Sequence, residues 1–148
     1  MRILMVCLGN ICRSPLAHGI LASKAPTDWI VDSAGTSGWH EGERPDTRSI
    51  VTAKGRGLTI DDQRSRLFTP DDFKNFDIIF AMDSSNYSNI IKIAPDEESK
   101  TKVRLIMNEA YPGRNKQVPD PYTGGQSGFE DVFDMLELAI DQFLEKHL

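Results

Sequence analysis

The sequence predicts one α/β domain in three layers, a parallel β-sheet with helices on both faces. Short apolar runs alternate along the chain with segments of helical periodicity, and strands joined in that way cross over the sheet and pair in parallel. No internal repeat, low-complexity tract or Gly/Ser linker divides the 148 residues. A chain of that length buries about 70% of its unfolded surface, so it holds a full core without disulfides. We therefore expect residues 1–148 to form a single domain.

The first strand and the first helix are predicted close together at the N-terminus. Residues 2–6 form a short apolar run, which is typical of a strand buried in a parallel sheet. Ser14 and Pro15 then predict the start of a helix, because serine is a preferred N-cap and proline is favoured at the first helical position. Apolar residues recur behind them at helical spacing, and we expect this helix to end near Lys24.

Three more strands and two more helices are predicted in the middle of the chain. The strands are apolar runs at residues 29–33, 77–82 and 103–106. Asp46 is a preferred N-cap, and the helix after it is expected to end near Gly55 or Gly57. Residues 84–94 predict a further helix, which Pro95 stops. We therefore expect a sheet of four parallel strands.

The C-terminal part of the chain combines an irregular segment with the clearest helix. Residues 107–126 show no periodicity and contain three prolines and three glycines. A connection of that length in a compact domain is usually functional or mobile. Ser127 and Glu130 then match a capping box, and an apolar stripe runs behind them to the C-terminus.

Composition and charge exclude several classes of function. The chain has 17 basic and 22 acidic residues and a formal net charge of −5, whereas a nucleic-acid binder or a polybasic membrane anchor needs a basic face. The apolar run at the N-terminus is too short for a signal peptide, and no later run reaches transmembrane length. The expected location is the cytoplasm. Cys7 and Cys12, the only cysteines, are too few for a disulfide framework or a cysteine zinc site.

The loop of residues 7–14 is the first candidate site, because ligands of parallel sheets bind beyond the carboxyl ends of the strands. The loop joins a strand to a helix, so its backbone N–H groups can converge on an anion at the helix N-terminus. Gly9 permits close approach of the backbone to a ligand, and Asn10 tolerates the left-handed conformation of a tight turn. At the mouth, Cys7 would be stabilised as a thiolate by this field and by Arg13.

Arg13 and the spacing Cys-x5-Arg indicate that the anion is a phosphate. A guanidinium is a planar fork that binds two phosphate oxygens at once and stabilises the charge that they gain in the transition state. The pattern by itself is weak, but its place between a strand and a helix strengthens it. A Walker P-loop is excluded, because no Gly-Lys-Ser/Thr is present.

Asp120 is the candidate for the proton donor that a thiolate needs when it attacks a phosphate monoester. It lies between Pro119 and Pro121, which restrict the backbone, in the irregular segment after the fourth strand. That segment should open at the same edge of the sheet as Cys7. A carboxyl group there can protonate the leaving oxygen and then activate water against a cysteinyl-phosphate. The alternative is that Asp120 only forms a turn.

Two segments carry a strong resemblance to the low-molecular-weight protein tyrosine phosphatases: Cys7-Leu8-Gly9-Asn10-Ile11-Cys12-Arg13-Ser14 and Asp120-Pro121-Tyr122. Residues 32–36, residues 82–86 and the last helix extend the resemblance over nearly the whole chain. It implies a four-stranded parallel sheet, a phosphotyrosine-containing protein as substrate, a monomer, and neither a metal nor an organic cofactor. It also implies Cys7 as nucleophile, Arg13 as phosphate clamp and Asp120 as general acid and then base.

The same resemblance assigns supporting roles to other residues. Asn10 and Ser33 would hold the shape of the loop, and Ser14 would assist the thiolate. Cys12 would form a reversible disulfide with Cys7 and so protect the nucleophile from over-oxidation. The alternative for Cys12 is a small buried thiol that fills space under the loop.

Two positions depart from the family pattern. Many relatives have a histidine that hydrogen-bonds toward the loop asparagine, where Gln63 stands here, and glutamine cannot titrate. Many also have two aromatic residues after Asp-Pro, whereas the second of these positions is Thr123 in this chain. The side chains left to form the rim and the mouth of the substrate cleft are Trp39, Tyr122, Leu8 and Ile11. For Trp39, an ordinary partly buried loop position is the alternative.

Two other functions are compatible with the loop. Arsenate reductases share this fold and the Cys-x5-Arg loop, but those coupled to thioredoxin relay oxidation to cysteines near the third strand, which this chain lacks. The second is a non-catalytic phosphotyrosine-binding module, although binding alone would not require a nucleophile and an acid.

Histidines and arginines outside the loop are expected at the surface. All three histidines, His18, His40 and His147, are expected to lie at the surface. Such positions disfavour a Cys-His protease. Four arginines either add positive potential near the cleft or form a solvated face: Arg44, Arg48, Arg64 and Arg66.

Overall fold

The computed structural model describes residues 1–148 and has a sheet of four strands at its centre, in which every neighbouring pair is parallel. The strands are β1 (Arg2–Cys7), β2 (Ile30–Gly35), β3 (Ile78–Ala81) and β4 (Val103–Leu105), in the spatial order β2-β1-β3-β4. All four predicted strands are confirmed, and their ends differ from the predicted ones by two residues or fewer. Since β1 pairs with both β2 and β3, the loop after β1 lies in the middle of the carboxyl edge.

Six α-helices and one 3₁₀ helix connect and follow the strands. They are α1 (Arg13–Lys24), α2 (Thr47–Gly55), α3 (Asp72–Asn75), α4 (Ser84–Lys92), α5 (Glu97–Lys100), the 3₁₀ helix (Ile106–Glu109) and α6 (Gln126–His147). The predicted ends of α1 and α2 are confirmed. None of the helices combines the length and the apolar composition that crossing a membrane requires.

Helices cover both faces of the sheet, as predicted for a three-layer domain. Successive residues of β1 point to opposite faces. Ile3 and Met5 therefore lie in a cluster with apolar residues of α1 and α6, while Leu4 and Val6 lie in a second cluster with residues of α3 and α4. Most of the predicted apolar stripe of α6 is buried in the first cluster.

The predicted cap of α2 is confirmed, whereas that of α1 is wrong. Asp46 caps α2, because its side chain accepts a hydrogen bond from the backbone N–H of Arg48 at 2.8 Å. In α1, by contrast, the helix begins at Arg13, and Cys12 is an N-cap without a side-chain hydrogen bond. The hydroxyl of Ser14, which was expected to cap α1, instead makes its hydrogen bonds inside the loop after β1.

The capping box predicted for α6 is also wrong. The helix begins at Gln126, one residue before Ser127, and no side chain caps it. The carboxylate of Glu130 accepts a hydrogen bond from the Thr52 hydroxyl of α2. This side chain therefore joins two helices instead of closing the end of one.

The irregular segment after β4 returns to the carboxyl edge of the sheet. Beyond the 3₁₀ helix it has no regular structure until α6 begins. Val118 is buried within it, and its N–H donates to the carbonyl of Met82, the residue that follows β3, at 2.8 Å. The residues after Val118 are thereby placed beside the loop that follows β1.

Candidate active site

One cleft at the carboxyl edge contains the three predicted catalytic residues, Cys7, Arg13 and Asp120. These residues come from the end of β1, the start of α1 and the irregular segment after β4. The predicted mouth and rim residues also line it: Leu8, Ile11, Trp39 and Tyr122. The fold thus brings together side chains that are far apart in the sequence.

The loop of residues 8–12 leaves its backbone N–H groups free. None of them donates a hydrogen bond to another protein group. The carbonyl groups of Cys7, Leu8 and Gly9, by contrast, accept hydrogen bonds from the two residues after β2 and from the Ser65 hydroxyl. The carbonyl groups of the loop are hydrogen-bonded to the protein, whereas its N–H donors are free. This is the arrangement of an anion-binding loop.

Asn10 holds the turn of this loop and has the predicted left-handed conformation, with φ at 56°. Its buried side chain is engaged at both ends. Nδ2 donates to Ser14 Oγ at 2.8 Å, and Oδ1 accepts from the backbone N–H of Arg66 at 3.1 Å. Gln63, which stands where many relatives have a histidine, donates to the carbonyl of Pro15 and not to Asn10. The backbone of Arg66 makes the contact with Asn10.

Cys7 Sγ lies 3.0 Å from Ser14 Oγ. Because Ser14 Oγ already accepts a hydrogen bond from Asn10, its own hydrogen is free to point at the sulfur. A hydrogen bond donated to a thiolate favours the charged form over the thiol. This contact supports the role expected for Ser14 beside the nucleophile.

The guanidinium of Arg13 is buried, and hydrogen bonds from one of its nitrogens to protein groups fix its position. Nη1 donates to Asp83 Oδ2 at 2.6 Å and to the carbonyl of Val118 at 2.9 Å. Burial opposes the charge of this side chain, but Cys7 and Asp83 raise the pKa of the guanidinium above its ordinary value, so it stays charged. Nε and Nη2 remain for two oxygens of a bound phosphate.

Asp83 is a functional residue that the sequence analysis missed. One carboxylate oxygen caps α4 by accepting from the N–H of Asn86 at 2.7 Å, and the other accepts from Arg13. The sequence did contain one indication of its position: Asp83 stands directly before the helix predicted at residue 84, and aspartate is a preferred N-cap. The signal indicated the cap but could not indicate the contact with Arg13.

Asp120 lies at the mouth of the cleft. Its Oδ1 accepts from the N–H of Tyr122 at 3.0 Å, and its Oδ2 lies 3.8 Å from Arg13 Nη2. The side chain is 46% exposed, so it can exchange protons with solvent. Its position facing Arg13 is the one expected for a group that acts on a bound phosphate ester.

His40 lines the cleft, so its expected place among ordinary surface residues is wrong. Its ring lies 6.4 Å from that of Tyr122, and its Nδ1 is 2.9 Å from a Glu43 carboxylate oxygen. The ring also lies against Gly9, where an added β-carbon would be 3.0 Å from His40 Cδ2. Trp39 is 77% exposed and lies at the outer rim. His40 and Tyr122 therefore form the inner aromatic wall.

The other two histidines lie away from the cleft. His18 was expected to face solvent, but it is half-buried, and its Nδ1 is 3.2 Å from Ser33 Oγ. Burial lowers the pKa of His18. The polar contact of Ser33 is thus with α1 and not with the loop that it was expected to hold. His147 is exposed, as predicted.

Cys12 is a second free cysteine in the loop and, like Cys7, is buried. Burial, together with the nearby negative charge of Asp46, raises the pKa of the Cys12 thiol, so it keeps its proton at neutral pH. Cys12 is therefore the poorer nucleophile. No group of three or more histidine, cysteine, aspartate or glutamate side chains is placed to hold a metal ion.

The whole chain, and not only the cleft, matches known proteins. The family model described as low molecular weight phosphotyrosine protein phosphatase matches residues 2–148. A protein of that name from Schizosaccharomyces pombe is 43% identical, over 97% of this chain and 95% of its own length. The crystal structure of a protein tyrosine phosphatase from Entamoeba histolytica superimposes with a TM-score of 0.92 and 41% identity, covering 99% of this chain and 96% of that one. A Drosophila arginine phosphatase has a TM-score of 0.90 and 32% identity, with 99% and 98% covered.

Gly35, at the end of β2, provides a test of the loop geometry. A β-carbon added there would lie 2.8 Å from the carbonyl oxygen of Leu8 and 3.1 Å from Asn10 Cβ. We expect Gly35→Ala to displace the loop and weaken binding of inorganic phosphate by about 10- to 100-fold, the cost of one lost charge-assisted hydrogen bond. Isothermal titration measures this affinity. Gly55→Ala, where an added β-carbon meets nothing within 4 Å, is the control and should bind normally. Unchanged affinity in Gly35→Ala would contradict the close packing.

Proposed function

Because the chain belongs to the low molecular weight phosphotyrosine protein phosphatase family, we propose that it removes phosphate from tyrosine side chains of proteins with Cys7 as the nucleophile. Family membership favours this activity over the arsenate reductase and the binding module that the loop alone left open. The observation that carries the proposal is the meeting of a cysteine, free N–H donors and a carboxyl group in one cleft. One chain supplies every residue of the cleft, which favours a monomer as the active form.

In the proposed first step, Cys7 Sγ attacks phosphorus while the bond to the tyrosine oxygen breaks. The free N–H groups of residues 8–12 and the remaining donors of Arg13 bind the phosphate oxygens. These interactions strengthen as negative charge develops on those oxygens in the transition state. Asp120 donates a proton to the leaving phenolate oxygen, so that a neutral phenol departs.

In the proposed second step, water hydrolyses the phosphate ester of Cys7. Asp120, now a carboxylate, accepts a proton from the attacking water. The sulfur leaves as a thiolate, which the Ser14 hydroxyl at 3.0 Å stabilises by hydrogen bonding. The cleft then holds inorganic phosphate and the original form of each catalytic group.

The walls of the cleft support an aromatic substrate. Leu8 and Ile11 offer no hydrogen-bond acceptors to a ligand side chain, and Tyr122 with His40 provides ring surfaces. A phenyl ring has no polar atoms to satisfy there, whereas the guanidino group of phosphoarginine would leave N–H donors unpaired. Many relatives have a second aromatic residue at the position of Thr123. In this chain His40 supplies the second ring of the wall instead.

Two expectations stay predictions. The location in the cytoplasm is one, and the protective disulfide between Cys7 and Cys12 is the other; both cysteines are free thiols in the structure.

The nucleophile assignment is tested by Cys7→Ser. We expect no turnover of phosphotyrosine peptide, because a serine hydroxyl keeps its proton at neutral pH and is a far weaker nucleophile than a thiolate. Binding of inorganic phosphate should be retained, because the loop N–H groups and Arg13 are unchanged. Phosphate release and isothermal titration measure the two properties. Turnover near the wild-type rate would remove Cys7 from the mechanism, and retained binding shows that the variant is folded.

The acid assignment is tested by Asp120→Ala. With phenyl phosphate, whose leaving group needs a proton, we expect kcat/KM to fall by about 10²- to 10⁴-fold. This ratio covers only the steps up to departure of the phenol, so the second role of Asp120, as a base, does not affect it. With 2,4-dinitrophenyl phosphate, whose leaving group is stable as an anion, the loss should be much smaller. Steady-state rates on the two esters provide the comparison. An equal loss on both would contradict proton donation by Asp120.

The substrate class is tested with two peptides that differ only in phosphotyrosine or phosphoarginine. We expect kcat/KM to be at least about tenfold higher for phosphotyrosine, since each buried unpaired donor costs about 1–3 kcal/mol. Phosphate release from both peptides at one pH measures the ratio. A preference for phosphoarginine would show that the apolar walls do not select the substrate.

A further inference from the structure

Arg48, near the start of α2, connects this helix to the segment that carries Asp120. We call residues 119–124 the acid segment. Arg48 Nη1 donates to the carbonyl of Gly124 and Nη2 donates to the carbonyl of Tyr122, each at 2.8 Å. Arg48 does not line the cleft, so its contact with the catalytic machinery is indirect.

The acid segment has few other attachments. Its only backbone hydrogen bond, from Gly124 N–H to the carbonyl of Pro121, is internal. Arg13 approaches it through Asp120 at 3.8 Å, which is longer than a hydrogen bond. Arg48 is thus the one side chain outside the segment that donates hydrogen bonds to it.

The bonds of Arg48 act on the residue that orients the acid. The N–H of Tyr122 donates to Asp120 Oδ1 at 3.0 Å, while the carbonyl of Tyr122 accepts from Arg48. The position of the Asp120 carboxyl group therefore depends on where Arg48 holds Tyr122.

Arg48 is itself fixed, and its fixation extends to the phosphate-binding loop. Asp46 accepts from Arg48 Nε and Nη2, each at 3.0 Å, and the N–H of Asp46 donates to the carbonyl of Ile11 at 2.8 Å. The guanidinium also lies over the ring of Phe129 in α6, 4.5 Å from its centroid. Burial opposes ionisation of Asp46, but hydrogen bonds from Arg48 hold the pKa of this carboxyl below its ordinary value, so the pair stays charged.

The sequence left Arg48 as either a source of positive potential or part of a solvated face, and its contacts give it a role that neither interpretation included. Four of its five N–H donors are bonded to Asp46, Tyr122 and Gly124. It therefore has too few free donors to act as a second phosphate clamp.

We propose that Arg48 is a positioning residue, which ties the acid segment to the phosphate-binding loop and so holds the Asp120 carboxyl group over the leaving oxygen. The inference rests on the proposed function, in which Asp120 is the general acid. It predicts that loss of Arg48 impairs protonation of the leaving group and spares phosphate binding.

The test is Arg48→Met, which keeps the aliphatic part of the side chain but removes every donor. It also removes the cation over the ring of Phe129, a loss that the control below reproduces at another ring. We expect kcat/KM on phenyl phosphate to fall about 10- to 100-fold, the cost of misplacing a catalytic group by about 1 Å. On 2,4-dinitrophenyl phosphate kcat/KM should change less than about threefold, and inhibition by inorganic phosphate should be unchanged. Arg48→Lys, with one donor group, should recover part of the loss.

The matched control is Arg56→Met. Arg56 lies just after α2, over the ring of Phe133 at 4.6 Å, and pairs with Asp134 at 2.8 Å, but makes no contact with the acid segment. Arg56→Met should lose comparable packing while its kcat/KM on both esters stays at the wild-type value. A fall in Arg56→Met equal to that in Arg48→Met would mean that packing explains the effect and would overturn the proposal.

A double variant separates the inference from the function on which it rests. In an Asp120→Ala background, Arg48→Met should cause no further loss on phenyl phosphate, since the group that it positions is gone. A full additional loss in that background would overturn the inference. Slow Asp120→Ala beside normal Arg48→Met would overturn the inference alone, whereas normal Asp120→Ala would overturn the acid assignment as well.

Discussion

The structure depends on one constraint: the loop after β1 must keep its N–H groups unpaired while its carbonyl groups are paired. Buried backbone donors without partners cost free energy, so the surroundings must impose this shape. The residues after β2 donate hydrogen bonds to the loop carbonyl groups, and Asn10 fixes the turn. Gly35 lacks a side chain and so allows the end of β2 to approach the backbone of the loop closely. The fold therefore maintains a row of donors that no protein group satisfies and that a bound anion can accept from.

The acidic net charge of the chain does not extend to this site. A charge of −5 describes the whole chain, but a cleft is governed by the charges within a few ångströms. Here Arg13 is buried, and the carboxylate of Asp83 accepts a hydrogen bond from one nitrogen of its guanidinium. That contact keeps the guanidinium charged and fixed without using the donors that face a phosphate. The N-terminus of α1 adds a positive field from the backbone itself.

The sequence was most informative where a feature depends on neighbours a few residues away. Apolar runs and turn residues predicted every strand, and the place of the loop between strand and helix predicted an anion site. Features that depend on distant partners were not predictable. Ser14 matches a cap locally, but its hydroxyl bonds elsewhere. The partners of Asp83 and Arg48, namely Arg13 and Tyr122, lie 70 and 74 residues away, and only the fold brings them together.

The two cysteines show that surroundings, and not residue type, distinguish the proposed nucleophile. Cys7 lies beside the Ser14 hydroxyl and the free donors of the loop, all of which favour a thiolate. Cys12 lies in a small apolar cluster with Ile11 and Phe129, where burial raises the pKa of its thiol. The same loop thus holds one sulfur beside hydrogen-bond donors and the other among apolar side chains.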